Sequence, residues 1–193
     1  CNQACVYCDE NYSSKWAQEL NKPVKSNKQA RQEVKDFVFE NIEQLENVYL
    51  AGGEPTYIKS YLLFLEQLHE INPDCEVIIN TNLKRLPTSW KAIIKKFKYL
   101  TIVCSCDSIE VLGTYVRYPL VWKEFEENVK FVSENANYLQ FNLVAYNLTA
   151  HKLFDTCSWM KQYSNAINII ILEGPNIFTE RAVPFVERNL YID

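Results

Sequence analysis

Five short segments of the chain are almost continuously apolar and rich in β-branched or aromatic residues. They run from Asn47 to Ala51, Cys75 to Asn80, Tyr99 to Cys106, Tyr138 to Ala145 and Ala166 to Leu172. Runs of this length and composition predict buried strands. A half-exposed antiparallel strand alternates apolar and polar residues, so the continuous pattern favours a parallel sheet that is covered on both faces.

Helix-like stretches separate the predicted strands. Apolar residues recur there at three- and four-residue spacing, at Val34, Phe37, Val38, Ile42 and Leu45 and again at Leu62, Phe64, Leu65 and Leu68. Repeated alternation of strand and helix needs right-handed crossovers, which leaves an open doubly wound sheet or a full or partial (β/α) barrel. Either fold binds ligands at the carboxyl ends of its strands.

Composition indicates one globular domain over residues 1–193, of which 48% are hydrophobic and 23% charged. A last apolar stretch runs from Ala182 to Tyr191. The net charge of -4 provides no basic field for binding phosphates, so no nucleic-acid partner is expected. No apolar run approaches the roughly 20 residues that span a bilayer, and no stretch has a signal-peptide pattern, so a cytoplasmic protein without a membrane partner is expected.

Seven cysteines are too few and too scattered for a disulfide scaffold, which makes metal or redox chemistry the better explanation. Three of them, Cys1, Cys5 and Cys8, have the spacing C-x3-C-x2-C, which can bring three thiolates together in one loop. An iron-sulfur cubane has four irons, so three thiolates leave one iron open to another ligand. A structural zinc site is the alternative, and it needs a fourth ligand. Neither histidine is near in sequence, although Asp9 or a distant cysteine could serve.

A second candidate lies at the end of the first predicted strand. Only four glycines occur in the chain, yet Gly52 and Gly53 are adjacent and precede Glu54 and Pro55. Glycines allow the backbone to approach a ligand closely, and a glutamate can accept hydrogen bonds from an ammonium group. A plain turn is the alternative.

These motifs resemble those of the radical S-adenosylmethionine (SAM) superfamily. The signature C-x3-C-x-aromatic-C is present with Tyr7 as its aromatic residue, and Gly52 to Pro55 resembles the family's GGEP. Thr81 and Asn82 are similar to a strand end that reads Thr-Asn-Gly, although Leu83 stands where glycine is usual. The resemblance continues through three further segments, which are Cys104-Ser105-Cys106-Asp107 with Arg117, the strand around Asn142, and Leu172 to Pro175.

The resemblance implies a role for each of these residues. Cys1, Cys5 and Cys8 would hold a [4Fe-4S] cluster whose open iron binds SAM, and reductive cleavage of SAM would give methionine and a 5'-deoxyadenosyl radical that abstracts hydrogen. The cofactor-binding residues would be Tyr7 and Leu172 near the adenine, Gly52, Gly53 and Glu54 at the methionine amino group, Ser105 and Arg117 at the carboxylate, and Asn142 at the ribose. Asn82 would also bind the cofactor, at a part that the resemblance does not specify. Structural alternatives are a turn for Asn82, a surface ion pair for Arg117, a helix N-cap for Asp107 and a core amide for Asn142.

The same resemblance implies the fold and the partners. It predicts a partial (β/α)6 barrel whose first strand lies upstream of Cys1, in a chain excised from a longer one, with an electron donor such as a flavodoxin or ferredoxin. The segment from Cys104 to Asp107, with Arg117, is similar to the SPASM/twitch subgroup, whose members often modify peptides. Two alternatives are a small-molecule enzyme, such as a 7-carboxy-7-deazaguanine synthase or an activating enzyme, and a non-catalytic iron-sulfur or zinc module.

Overall fold

A computed structural model describes residues 1–24, 28–164 and 166–179. Seven α-helices lie in this part of the chain: α1 (Ser14–Glu19), α2 (Lys28–Glu40), α3 (Lys59–Ile71), α4 (Thr88–Ile94), α5 (Glu110–Val116), α6 (Trp122–Asn135) and α7 (Leu153–Met160). The strands are β1 (Asn47–Leu50), β2 (Glu76–Thr81), β3 (Leu100–Ser105), β4 (Tyr138–Ala145) and β5 (Ala166–Ile171). The predicted apolar stretch from Ala182 to Tyr191 lies outside the described residues.

The five strands form one parallel sheet in the order β1-β2-β3-β4-β5, and each coincides with a predicted strand to within a residue or two. A doubly wound sheet reverses its strand order, whereas this order follows the chain throughout. Right-handed crossovers between successive neighbours therefore place the connecting helices on one face. The expectation of a partial barrel is confirmed, and the doubly wound alternative is excluded.

The two faces of the sheet differ in polarity. On β4, Leu139, Phe141 and Leu143 are buried in the core, whereas the alternating Gln140 and Asn142 are half-buried on the opposite face. The expectation that both faces are covered is therefore wrong at β4, although Val103 on the same face of β3 is buried. The side chains that point away from the helices line the concave interior of a half-barrel, where polar groups remain hydrated.

The helical patterns are confirmed in α3 but only partly in α2. Phe64, Leu65 and Leu68 are buried in the core, whereas Val34 and Phe37 of α2 are each 64% exposed. Each described helix is too short or too polar to cross a membrane.

Leu83 stands where the similar motif Thr-Asn-Gly has glycine, and its backbone adopts a conformation that favours glycine. Its φ is +46°, in the left-handed region, and its side chain is fully buried. Its N–H donates to Thr81 Oγ1 (3.1 Å), and its carbonyl oxygen accepts from Asn128 Nδ2 (3.0 Å). Packing and hydrogen bonds therefore outweigh the backbone strain, which is about 1–2 kcal/mol for a residue with a Cβ atom.

Replacing Leu83 with glycine tests whether the packing of its side chain outweighs the strain of its backbone. The substitution relieves the strain but removes a buried leucine side chain, whose loss costs about 2–5 kcal/mol. We expect the free energy of unfolding to fall by about 2 kcal/mol in urea titrations. Asn21→Gly is the matched control, since Asn21 has a φ of +52° at an exposed position, and it should leave stability unchanged or slightly raised. A stabilised Leu83→Gly protein would contradict the account.

Candidate cofactor site at the carboxyl ends of the strands

The cysteine loop, residues 1–8, lies across the carboxyl ends of the strands. The N–H of Ala4 donates to the carbonyl oxygen of Tyr118 (2.6 Å), and the N–H of Val6 donates to that of Val116 (3.0 Å). Asn2 Oδ1 accepts a hydrogen bond from Asn82 Nδ2 (2.7 Å), just beyond β2. The loop is thus attached to the ends of both α5 and β2.

Helix α1 holds the loop from its other side. Ser14 Oγ donates to the carbonyl oxygen of Cys1 (2.6 Å), and Trp16 Nε1 donates to that of Cys5 (2.9 Å). Ser13 caps α1 by accepting from the N–H of Trp16, and its hydroxyl donates to the carbonyl oxygen of Gln3. Three loop carbonyls are therefore satisfied by α1, which fixes the loop backbone.

The three sulfur atoms share this loop but are not gathered around a common point. Within residues 1–24, 28–164 and 166–179, no three Cys, His, Asp or Glu side chains are grouped so as to hold a metal ion. Cys5 Sγ lies 3.9 Å from Gln3 Oε1, and Cys8 Sγ lies 3.8 Å from the carbonyl oxygen of Asp9. Burial raises the pKa of both thiols. The thiols therefore stay protonated, and a neutral thiol is a weak hydrogen-bond donor that makes long contacts with nearby oxygens.

The chemistry of the loop nevertheless fits an iron-sulfur cluster. Three thiols on one fixed backbone are the donors that such clusters use, and Cys5 is buried while Cys1 and Cys8 are half-buried. The side-chain amide of Gln3 is buried, and its Nε2 has no hydrogen-bond partner among the described residues. An unpaired amide donor next to a cysteine is suited to hydrogen bonding with cluster sulfur.

Gly52 and Gly53 make the turn that brings the end of β1 to the cysteine loop. Their φ angles are +88° and +62°, which favour glycine. A Cβ atom on Gly53 would lie 3.5 Å from the backbone nitrogen of Cys1. The two glycines form a turn, as the structural alternative predicted, and Gly53 also lies close to Cys1.

The Glu54 carboxylate joins the ends of β1 and β2. Oε1 accepts from the N–H (3.2 Å) and Oγ1 (2.9 Å) of Thr56 and from Thr81 Oγ1 (2.6 Å), while Oε2 accepts from the N–H of Asn82 (2.8 Å). A carboxylate oxygen has about two acceptor positions, so Oε1 is fully used, whereas Oε2, with one donor, keeps one position open. Glu54 thus organises the two strand ends, and its Oε2 can still accept a hydrogen bond from an ammonium group.

Asn82 is both a turn residue and a contact with the loop. Its Oδ1 accepts from the N–H of Lys84 (3.0 Å), which forms the turn, while its Nδ2 reaches Asn2. The structural alternative for Asn82 is correct, and the same side chain also positions the cysteine loop.

Arg117 forms a buried ion pair with Asp107. Its Nε lies 2.8 Å from Asp107 Oδ2, and its Nη2 donates to Asp107 Oδ1 (3.0 Å) and to the Tyr7 hydroxyl (3.1 Å). Tyr7 in turn donates to Asp107 Oδ2 (3.1 Å), and the N–H of Val144 donates to Oδ1 (3.1 Å). The alternative of a surface ion pair for Arg117 is wrong, since Arg117 and Asp107 are both buried. The alternative of a helix N-cap for Asp107 is also wrong, since the N-cap of α5 is Ile109.

This pairing changes what Arg117 can offer a ligand. The fork of Nε and Nη2, which was expected to bind a cofactor carboxylate, faces Asp107, so Nη1 remains, with only a long 3.5 Å contact to Gln3 Oε1. Burial is the largest single influence and lowers the pKa of Arg117. The charges of Asp107, Tyr7 and Cys5 and the hydrogen bond to Asp107 together outweigh it, so the pKa lies well above its ordinary value. Burial raises the pKa of Tyr7 well above its usual range, so its hydroxyl stays protonated.

The remaining predicted residues lie along neighbouring strands. Ser105 on β3 is in register with Asn142 on β4, which is in register with Asn168 on β5. Asn142 Oδ1 accepts from Gln140 Nε2 (3.1 Å) and Asn168 Nδ2 (3.3 Å), so it is a hydrogen-bonded amide on the concave face rather than in the core. Leu172 follows β5 directly, and its N–H donates to the carbonyl oxygen of Ala145 (3.0 Å).

Three residues of the site were missed or undervalued by sequence reasoning. Asp107 was noticed only as a cap, while Gln3 and Tyr146 received no role. Tyr146 follows β4 and packs edge-on against Tyr7, with ring centroids 5.3 Å apart. Its position at a strand end was the available signal. The contact with Tyr7, across 139 residues of sequence, was not predictable from periodicity.

Comparison with sequence models of protein families identifies the family of this chain. The model described as Radical SAM superfamily matches residues 1–135. This chain belongs to the radical SAM superfamily. Members of the superfamily use a [4Fe-4S] cluster and SAM, in agreement with the expected cofactors. No curated protein matches the sequence.

Solved structures share the fold. Streptococcus suis SuiB bound to S-adenosylmethionine is 16% identical, with a TM-score of 0.67 over 99% of this chain and 43% of SuiB. The protein anSMEcpe with bound AdoMet is 20% identical, with a TM-score of 0.69 over 93% of this chain and 53% of its own. HemN, the coproporphyrinogen III oxidase from Escherichia coli, is 16% identical, with a TM-score of 0.62 over 100% of this chain and 48% of HemN. The chain thus spans about half the length of these proteins.

Asp107→Asn tests whether the carboxylate stabilises the site. The substitution leaves the buried Arg117 charge without its counterion, which costs about 3–5 kcal/mol when one partner of a buried pair is removed. We expect a loss of unfolding free energy of that size in denaturant titrations. The matched control is Asp74→Asn, whose pair with Lys98 is exposed (3.6 Å), and it should cause no measurable change. Equal effects of the two substitutions would contradict a special role for the buried pair.

Proposed function

We propose that this chain is the core of a radical SAM enzyme, in which Cys1, Cys5 and Cys8 bind a [4Fe-4S] cluster that leaves one iron free for SAM. The observation that carries the proposal is the attachment of the cysteine loop to the carboxyl edge of a half-barrel, beside two left-handed glycines and a buried arginine. When bound, the cluster would supply the electron that cleaves SAM into methionine and a 5'-deoxyadenosyl radical, which abstracts hydrogen from a substrate.

The backbone at Gly52 and Gly53 is suited to the amino group of SAM. Neither glycine has a side chain to block a ligand, and at Gly52 nothing lies within 4 Å of where a Cβ atom would be. Glu54 and Asn82 support this role indirectly, because their hydrogen bonds hold the ends of β1 and β2 beside the loop.

Ser105 and Arg117 would share the cofactor carboxylate, with Arg117 contributing Nη1. Asp107 holds the other edge of the guanidinium, which fixes its orientation before a ligand arrives and lowers the entropic cost of binding. Asn142, on the concave face, would contact the ribose, while Tyr7 and the backbone of Leu172 would flank the adenine.

A peptide is the substrate that the concave face favours. Apart from Glu76 and Tyr138, at the amino ends of β2 and β4, its polar side chains on β2, β4 and β5 are uncharged amides. These are Asn80, Gln140, Asn142 and Asn168, which match the donors and acceptors of a peptide backbone. SuiB has been solved bound to precursor peptide SuiA, and anSMEcpe with the Cp18Cys peptide. Modification of a peptide by a SPASM/twitch-type enzyme is therefore preferred over the small-molecule alternatives.

Residues 1–193 would form a single core domain that is completed by a further strand. The edge of β1 away from β2 borders a cavity of about 1380 Å³, which is lined by Cys1, Gly53, Val38 and Tyr49 among others. An added parallel strand there would satisfy the open backbone edge. A cytoplasmic location and a flavodoxin or ferredoxin as electron donor complete the proposal.

Release of 5'-deoxyadenosine tests the function directly. Protein reconstituted anaerobically with iron and sulfide, reduced with dithionite and given SAM should release 5'-deoxyadenosine, measured by liquid chromatography with mass detection. A structural zinc loop or an electron carrier would release none, and that result would overturn the proposal.

Cys5→Ala tests the ligand assignment. Removal of one of three thiolates should abolish most of the cluster absorbance and reduce the iron content well below about four per chain. Cys157→Ser is the control, because this half-buried cysteine lies on α7, away from the loop, and should retain full iron. Full iron in the Cys5→Ala protein would assign the cluster to other ligands.

A further inference from the structure

Tyr146 carries a buried hydroxyl group that no described residue satisfies. The residue is 4% exposed, and its hydroxyl has no hydrogen-bond partner within the described ranges 1–24, 28–164 and 166–179. A buried hydroxyl without a partner destabilises a fold, so most native structures avoid one. Where one persists at a strand end that binds ligands, a ligand acceptor is the natural explanation.

The surroundings of Tyr146 hold its ring in place. Its carbonyl oxygen accepts from the N–H groups of Thr149 (3.0 Å) and Ala150 (2.9 Å), which closes the turn after β4. Tyr7 packs edge-on against one part of the ring at 5.3 Å, and Phe178 does so at 6.3 Å. The hydroxyl therefore cannot turn freely to find a partner elsewhere.

The Tyr146 ring lies beside the buried ion pair, because Tyr7, against which it packs, donates to Asp107 and accepts from Arg117. After burial, which raises its pKa, the charges that act most strongly on Tyr146 are those of Asp107 and Arg117, followed by Cys5. Asp107 and Arg117 already bind each other and Tyr7, so neither turns to Tyr146. The group is thus a neutral donor between the cysteine loop and the segment after β5.

We infer that the Tyr146 hydroxyl donates a hydrogen bond to an acceptor atom of bound SAM, which makes Tyr146 a cofactor-binding residue. The inference rests on the proposed function, because it needs SAM at this edge of the sheet. Tyr7 and Leu172, the two positions assigned to the adenine, belong to the segments on either side of Tyr146, so the adenosyl part of SAM is the part within reach.

Tyr146→Phe removes the hydroxyl and keeps the ring. SAM is titrated into cluster-reconstituted protein, and its dissociation constant is measured by equilibrium dialysis. Loss of one neutral hydrogen bond should weaken binding by about 3- to 10-fold. Iron content should match the wild type, and the thermal midpoint of the protein without SAM should be equal or higher, since an unpaired buried hydroxyl has been removed.

Tyr138→Phe is the matched control, since Tyr138 begins the same strand at its opposite, amino end and is 52% exposed. It should bind SAM as the wild type does. Unchanged SAM affinity in Tyr146→Phe would overturn the inference and leave the proposed function intact. A lowered thermal midpoint without SAM would also overturn it, because the hydroxyl would then serve the fold. A wild-type protein that retains its cluster but does not bind SAM would overturn both.

Discussion

One buried carboxylate connects the cysteine loop to the sheet. Asp107, at the end of β3, binds Arg117 through both oxygens and also accepts hydrogen bonds from the Tyr7 hydroxyl and the N–H of Val144. It thereby connects the cysteine loop, the end of α5 and the end of β4 through a single side chain. Two buried opposite charges are costly to desolvate, so this arrangement persists only because each charge satisfies the other. Hydrogen bonds fix the loop backbone as a result, while Cys5 Sγ and Cys8 Sγ make long local contacts of 3.9 Å and 3.8 Å.

The half-barrel gives the site a polar concave face and, above it, the carboxyl edge of the strands. Strand order follows the chain, so the helices cover the convex face and the concave face keeps amides such as Gln140 and Asn142. The carboxyl edge, where Glu54 and Asn82 join adjacent strand ends, holds the loop above that concave face. A cofactor at the edge would then lie next to a substrate in the concavity. Proximity of this kind is what a short-lived radical requires.

Sequence patterns predicted the strands, because each buried strand carries its own apolar signature. Crossover handedness left two possible folds, and the family resemblance predicted the partial barrel among them. Sequence patterns also located the cysteine loop and the glycine turn, since both are contiguous motifs. They failed where the partner of a side chain is remote in sequence. Arg117 was expected to point its fork at a ligand, yet Asp107 occupies that fork. Glu54 likewise accepts hydrogen bonds from Thr81 and Asn82, on a different strand end. Leu83 shows the reverse case, in which tertiary packing preserves a backbone shape that the residue itself disfavours.

The central claim is that three thiolates leave one iron open to SAM. Electron paramagnetic resonance of the reconstituted, dithionite-reduced protein, recorded with and without SAM, tests it most directly. If SAM binds the open iron, the spectrum of the reduced cluster changes its g values when SAM is added. An unchanged spectrum at saturating SAM, from a protein with full iron content, would show a cluster closed by protein ligands and would contradict the account.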